Sequence, residues 1–158
     1  MSDIDIATLG PDDWETFRTV RLASLSESPG AFGSRFADWV EAPVERWRAR
    51  LTDVPLTLVA TDGGAVVGVA SGQRDGQDWV ELISMWVAPA ARGRGVAAAL
   101  IDAVVRWATE QDRRTYLMVR SDNAGARAAY ERIGFVDRGV PEGWPAEEPP
   151  EHRMELPA

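Results

Sequence analysis

One segment limits the possible folds more than any other. An apolar, strand-like run from Asp78 to Val87 passes through Ala88-Pro89 and the turn Arg92-Gly93-Arg94-Gly95 straight into a helical repeat. From Val96 to Gln111 the apolar positions Val96, Ala97, Leu100, Ile101, Val104, Val105 and Ala108 share one broad face, with Asp102, Arg106 and Glu110 opposite. Such a turn sets the end of a strand beside the first N–H groups of a helix, which lack intrahelical partners and sit at its positive dipole end. Glycines there allow a ligand to approach the backbone closely. Phosphate is the natural guest of that arrangement.

Glycines that merely turn the chain are one reading. A Walker loop is excluded, because every basic residue is Arg and the loop lacks its lysine. The pattern Gly93-x-Gly95-x-x-Ala98 fits a dinucleotide fingerprint, but that motif follows a first strand and opens a doubly wound sheet. Too little chain follows it here for such a sheet.

Composition narrows the chemistry further. A chain of 158 residues that is 45% hydrophobic, with 7 Trp, suits one domain over residues 1–158 with a single core. The 17 basic against 25 acidic side chains give a net charge of -8, which disfavours a phosphate-tracking nucleic-acid binder. The acidic balance fits a cationic small-molecule partner, or serves solubility alone. With no Lys there is no lysine Schiff base. With no Cys there is no disulfide, thiolate nucleophile or acyl-cysteine, and a lone His152 forms no histidine cluster. No metal is expected. The start, with two Asp and no basic residue before a long apolar run, does not read as a signal peptide, and charges break every apolar stretch well short of a membrane span. A soluble, cytoplasmic protein with no membrane partner is the expectation.

Along the chain, Ile4, Ile6 and Leu9 predict a short first strand. Pro11 to Glu15 predicts a helix start capped by Asp12 with Glu15 reaching back, the helix running to about Ser26 and ending at Ser28-Pro29-Gly30. Between Ala31 and Leu51 the spacing predicts one or two short helices, the last from near Pro43. Leu56–Thr61, Ala65–Gln73 and Asp78–Val87 predict an antiparallel meander with turns at Asp62-Gly63-Gly64 and Asp75-Gly76. Thr115–Val119 predicts a strand, Asn123–Ile133 a helix closed by Gly134, Phe135–Gly139 a strand, and Arg153–Leu156 a closing strand.

The segment Arg92-Gly93-Arg94-Gly95-Val96-Ala97 resembles the acetyl-CoA loop Q/R-x-x-G-x-G/A of the GNAT superfamily of N-acetyltransferases. Val87 and Pro89 upstream, and Asn123, Ala126, Tyr130, Gly134 and Phe135 downstream, stand in the order that family shows. The resemblance is good from Val66 to Gly139 and weaker outside it. It implies an α/β GNAT fold, with a mixed, mostly antiparallel sheet of six to seven strands flanked by about four helices. The implied activity is transfer of an acetyl group from acetyl-CoA to a primary amine of a small molecule or peptide. A CoA-binding regulatory module on the same fold is the alternative, since a cofactor loop does not prove turnover. A homodimer is the protein partner this reading admits.

Site residues follow from the resemblance one by one. Backbone N–H groups from Gly93 to Ala97, Val96 included, would hold pyrophosphate, with Arg92 and Arg94 adding charge or else standing solvated or paired. Met85, Trp86 and Val87 would pair with pantetheine and polarise the thioester carbonyl. Asn123 would contact the pantetheine arm or simply cap its helix. Tyr130 would protonate the leaving sulfur, or pack. Glu81 would act as general base, unless a water chain does so or it is a surface or arginine-paired carboxylate. Strict alternation places Glu81 with Ile83, Met85 and Val87, away from Leu82, Ser84 and Trp86. Phe32, Phe36, Trp39 and Glu41 would line an acceptor pocket suited to a cationic or aromatic amine, or else the rings are core. His152 reads as a solvated surface imidazole.

Overall fold

The computed structural model describes residues 4–28 and 35–158, and its centre is a seven-stranded sheet in the order β1-β2-β3-β4-β5-β7-β6. The strands are β1 (Ile4–Thr8), β2 (Leu56–Asp62), β3 (Ala65–Asp75), β4 (Trp79–Val87), β5 (Arg114–Arg120), β6 (Val136–Asp137) and β7 (Glu151–Glu155). Every neighbouring pair is antiparallel except β4 with β5. The helices are α1 (Trp14–Glu27), α2 (Phe36–Trp39), α3 (Val44–Asp53), α4 (Val96–Thr109) and α5 (Ala124–Ile133). The mixed, mostly antiparallel α/β architecture is the one expected.

Alternation along β2 and β3 sorts side chains to two cores. Leu56, Leu58, Ala60 and Ala70 turn toward Val96, Leu100, Ile101 and Val104 of α4. Val59 and Val69 turn the other way, toward Phe17 and Val20 of α1 and Trp47 and Leu51 of α3. Fully burying aliphatic side chains of this size stabilises the fold by about 1.5–3 kcal/mol each. Helix α4 lies so close to the sheet that a Cβ on Gly68 would come within 3.0 Å of Leu100 Cδ1 and 3.1 Å of the Trp86 carbonyl oxygen.

Several local expectations differ from what forms. Pro11–Asp13 makes a 3-10 turn ahead of α1, and Asp13, not Asp12, supplies the capping carboxylate, its Oδ2 accepting from Gly10 N–H at 2.8 Å. Only Val136–Asp137 of the expected Phe135–Gly139 strand forms a regular ladder; beyond it Arg138 N–H bonds the Arg153 carbonyl at 2.8 Å and Arg153 N–H bonds the Gly139 carbonyl at 2.9 Å, so two residues face one and the ladder breaks. Helix α4 ends at Thr109, two residues before the sequence pattern does.

The largest departure lies in β4. Two residue steps of β3, from Val69 to Ser71, oppose three of β4, from Trp86 to Ile83, so β4 carries an extra residue. Ser84 lies there at φ 56°, in the left-handed region. This β-bulge reverses the alternation. Val80 and Leu82 pack in the α4 core, and beyond the bulge so do Met85 and Val87, while Trp86 enters the core of α1 and α3. Glu81 therefore does not share a face with Met85 and Val87.

Candidate active site

Parallel pairing of β4 with β5 stops at Leu82 opposite Leu117. Past that point β4 follows β3 up to Val87, while β5 follows β7, with Arg120 opposite Glu151. The strands splay, and a cleft of about 870 Å³ opens between them. Its floor is Leu82 to Val87, its second wall Leu117 to Arg120, and α5 closes one side with Asn123, Ala126, Ala129, Tyr130 and Ile133. Residues spaced three and four apart put those α5 side chains on one face. Without a strand neighbour, the facing edge of β4 keeps backbone donors and acceptors that an extended amide-bearing chain can pair with.

The glycine turn stands where β4 ends. Gly93 (φ 79°) and Gly95 (φ 82°) hold left-handed conformations, and both look onto open space where a Cβ would be. Ala99 N–H is the first to turn back into α4, bonding the Gly95 carbonyl at 3.1 Å, so the amides just before it are available to a ligand. Ala97 lines the cleft, whereas Gly93, Arg94, Gly95 and Val96 do not, and the Val96 side chain is buried in the core. Both arginines are paired. Arg92 Nε donates to the Val87 carbonyl at 3.0 Å and its guanidinium bonds Glu27 at the end of α1, while Arg94 bonds Asp62 at 2.7 Å. Their side chains pin the turn to α1 and β2, which leaves the backbone as the turn's phosphate donors. These residues fit a pyrophosphate-bearing, amide-containing cosubstrate through open glycines, free helix-start amides and an unpaired strand edge.

Glu81 lies in the cleft, with Tyr116 opposite it on β5 and Gln73 on β3. Burial raises its pKa above the ordinary carboxylate value, repulsion from Asp75 and Glu151 adds to the rise, and Arg153 opposes it. Tyr116 itself donates to Asp75 at 2.6 Å. Tyr130 lies in the α5 wall, edge-on to Phe135 at 5.8 Å between ring centroids, and burial pushes its phenol up to about 12. It therefore keeps its proton at neutral pH. Asn123 Oδ1 accepts from Ala126 N–H at 3.2 Å and so caps α5; its amide nitrogen remains for a ligand in the cleft, which Asn123 lines.

Of the expected acceptor residues, Phe36, Trp39 and Glu41 do not line this cleft. Trp39 packs at a tilt against Trp47, 4.8 Å between ring centroids, under the guanidinium of Arg46, Phe36 is 38% exposed, and Glu41 is exposed. Phe32 lies outside the described residues. His152 is not a solvated surface imidazole. It belongs to β7, and its Nδ1 lies 2.8 Å from Asp137 Oδ1. Among the described residues, no three His, Asp or Glu side chains gather as a metal site, and no helix is long and apolar enough to cross a membrane.

Among the cleft residues not singled out from the sequence are Arg21 of α1 and Arg50 of α3. Burial lowers both to about 10, and for Arg21 the charge of Arg50 contributes as well. Arg50 follows Trp47 by three positions and Arg21 follows Phe17 by four, so helical spacing from two buried aromatics was the available signal.

A family model described as "Acetyltransferase (GNAT) family" matches residues 18–135. The chain belongs to that family. Among GNAT relatives, an uncharacterized N-acetyltransferase of Methanocaldococcus jannaschii is 32% identical over 57% of this chain, a match spanning 38% of that protein's length. An uncharacterized N-acetyltransferase of Mycobacterium tuberculosis is 31% identical over 76% of this chain and 80% of its own. The GNAT fold recurs in the crystal structure of the PaiA N-acetyltransferase of Thermoplasma acidophilum in complex with coenzyme A, with a TM-score of 0.75, 15% identity and 99% of each chain covered.

Proposed function

We propose that this GNAT protein transfers an acetyl group from acetyl-CoA directly to an amine of a small molecule or peptide. The observation that carries the reading is the splayed β4–β5 cleft, which gathers an unpaired strand edge, a half-buried carboxylic acid and a half-buried phenol around one space, with the glycine turn at a helix start beyond the end of β4. The coenzyme A held by the Thermoplasma acidophilum neighbour supports the choice of cosubstrate.

Acetyl-CoA supplies an activated thioester. The backbone amides from Gly93 to Ala97 would hold its pyrophosphate, and the free edge of Met85–Val87 would pair with its pantetheine amides and orient the thioester. A backbone N–H of that edge would polarise the carbonyl. Glu81, ionised above its raised pKa, would take a proton from the ammonium acceptor, so that the free amine forms the new C–N bond as the C–S bond breaks. The Tyr130 hydroxyl would donate to the departing sulfur. Without cysteine the chain offers no thiol to carry the acetyl group, which favours one direct step.

The test is release of free thiol from acetyl-CoA across amino acids, polyamines, aminoglycosides and peptides with free N-termini. At least one class is expected to raise release well above hydrolysis. Tight acetyl-CoA binding with no acceptor-dependent release from any class would instead favour a CoA-binding module.

A further inference from the structure

Arg50 and Arg21 form a cationic wall in the cleft that the proposed chemistry does not use. Arg21 is 7% exposed and Arg50 is partly buried, yet both line the cleft beside Ser84. The described partners of the Arg50 guanidinium are neutral: Ser71 Oγ at 3.1 Å, Ser84 Oγ at 3.2 Å, Thr57 Oγ1 at 3.5 Å and the Phe17 ring at 5.1 Å. Hydroxyls satisfy donors but do not neutralise a charge taken out of water. Arg21 has contacts of its own and adds a second cation close by. A charge held at a half-buried surface by neutral partners opposes folding, and an anion bound to Arg50 in the cleft removes that cost. Ser84 is the bulge residue three positions along β4 from Glu81, so the cation wall and the acid share one stretch of floor.

We propose that Arg50, assisted by Arg21, determines specificity by binding a carboxylate on the acceptor, so that the acceptors are amino carboxylates of amino-acid type rather than simple cationic amines. This rests on the transfer reading above. The amine end would face Glu81 and the carboxylate end would replace neutral hydroxyl partners with a fork of charge-assisted hydrogen bonds. The expected cationic or aromatic amine pocket gives way to one that reads both ends of a zwitterion.

The experiment measures binding to the CoA-loaded protein by calorimetry, and thiol release from acetyl-CoA separately. The probes are phenylalanine against phenethylamine and phenylalaninamide, 4-aminobutyrate against butylamine, and phosphoethanolamine against ethanolamine. In the wild type at least one amino carboxylate is expected to bind about tenfold or more tightly than its carboxylate-free partners, the size of one charge-assisted hydrogen bond. Arg50→Gln should erase that preference, Arg50→Lys should restore part of it, and the KM for acetyl-CoA should stay within about twofold in both. Equal affinities within every wild-type pair would overturn the proposal without recourse to any variant. So would a preference for phosphoethanolamine alone, or a carboxylate preference that survives in folded Arg50→Gln. A carboxylate preference in binding without thiol release would keep the anion site and sink the transfer reading; thiol release without the preference would do the reverse.

Discussion

Replacing Tyr130 by Phe removes one oxygen from the cleft wall. The ring's edge contact with Phe135 at 5.8 Å and its packing against the α4 core survive, and among the described residues no protein group loses a hydrogen bond to the hydroxyl. Stability should therefore change by no more than about 0.5 kcal/mol. The effect on rate follows from the phenol's pKa, which burial pushes up to about 12. Even measured against a cysteine thiol, which titrates at about 8.5, complete proton transfer from this phenol to the thiolate is uphill by about 3.5 pKa units, or ~5 kcal/mol. The hydroxyl then acts while the C–S bond is breaking, as a hydrogen-bond donor to growing negative charge. That places its contribution at the low end of general acid catalysis, about 100-fold in kcat or ~2.7 kcal/mol. Steady-state thiol release should show kcat falling by that factor with the KM for acetyl-CoA within about threefold, and an unchanged Tm. A wild-type kcat in Tyr130→Phe would refute the assignment, and a loss confined to the acetyl-CoA KM would make Tyr130 a packing residue of the cleft.

Glu81→Gln should cost most at low pH, where amines are protonated, and least at high pH; a wild-type rate limb set by Glu81 should lie above the ordinary carboxylate pKa, and an identical limb in the variant would remove Glu81 as base. Because the folded state raises that pKa, it binds the proton more tightly than the unfolded chain, so Glu81 lowers stability as pH rises through the raised value, and Glu81→Gln should gain Tm relative to wild type at pH 8 but not at pH 4. Acetyl-CoA should raise the Tm by binding the folded state, and Gly95→Glu, which places a carboxylate on a residue at φ 82° that faces open space, should abolish that rise; an undiminished rise would put the pyrophosphate elsewhere. Gly68→Ala should lower stability by about 1–3 kcal/mol, since its Cβ meets the Trp86 carbonyl at 3.1 Å and Val96 Cγ1 at 3.2 Å, and thermal unfolding with no loss would show that α4 can shift away from β3.

What the sequence made legible is what local chemistry determines. The glycine turn, the amphipathic α4 and the β2–β3–β4 meander were readable because their signals lie within the segment that forms them. The capping role of Asn123 and the Gly134 stop on α5 were readable for the same reason. The short β6 was overextended, since its regular ladder breaks where Arg138 and Gly139 both bond Arg153, an irregularity set by a partner across a long loop. His152 looked solvated because its neighbours in sequence are charged, while the carboxylate that holds it, Asp137, arrives from another strand. Arg21 and Arg50 were passed over because charged residues on helices ordinarily face water; only the tertiary fold shows that both lie on buried faces.

The bulge at Ser84 explains why the residues of β4 were named from the sequence but assigned to the wrong faces. A period of two carries no mark of an added residue, because the bulge is defined by the register with β3 and not by β4's own sequence. Strict alternation would send Glu81, Met85 and Val87 to one face, putting the carboxylate against α4 among Val80's neighbours or pulling Met85 and Val87 away from them. With the extra residue, Glu81 stays clear of the α4 core while Met85 and Val87 enter it. The same distortion lies where pairing with β5 ends, which frees the edge that pantetheine would use, and it delivers Ser84 Oγ to Arg50. The proposed base, thioester seat and carboxylate wall thus all depend on the bulge at Ser84, and a single-residue deletion in Ile83–Ser84 should disable all three together even in a protein that still folds.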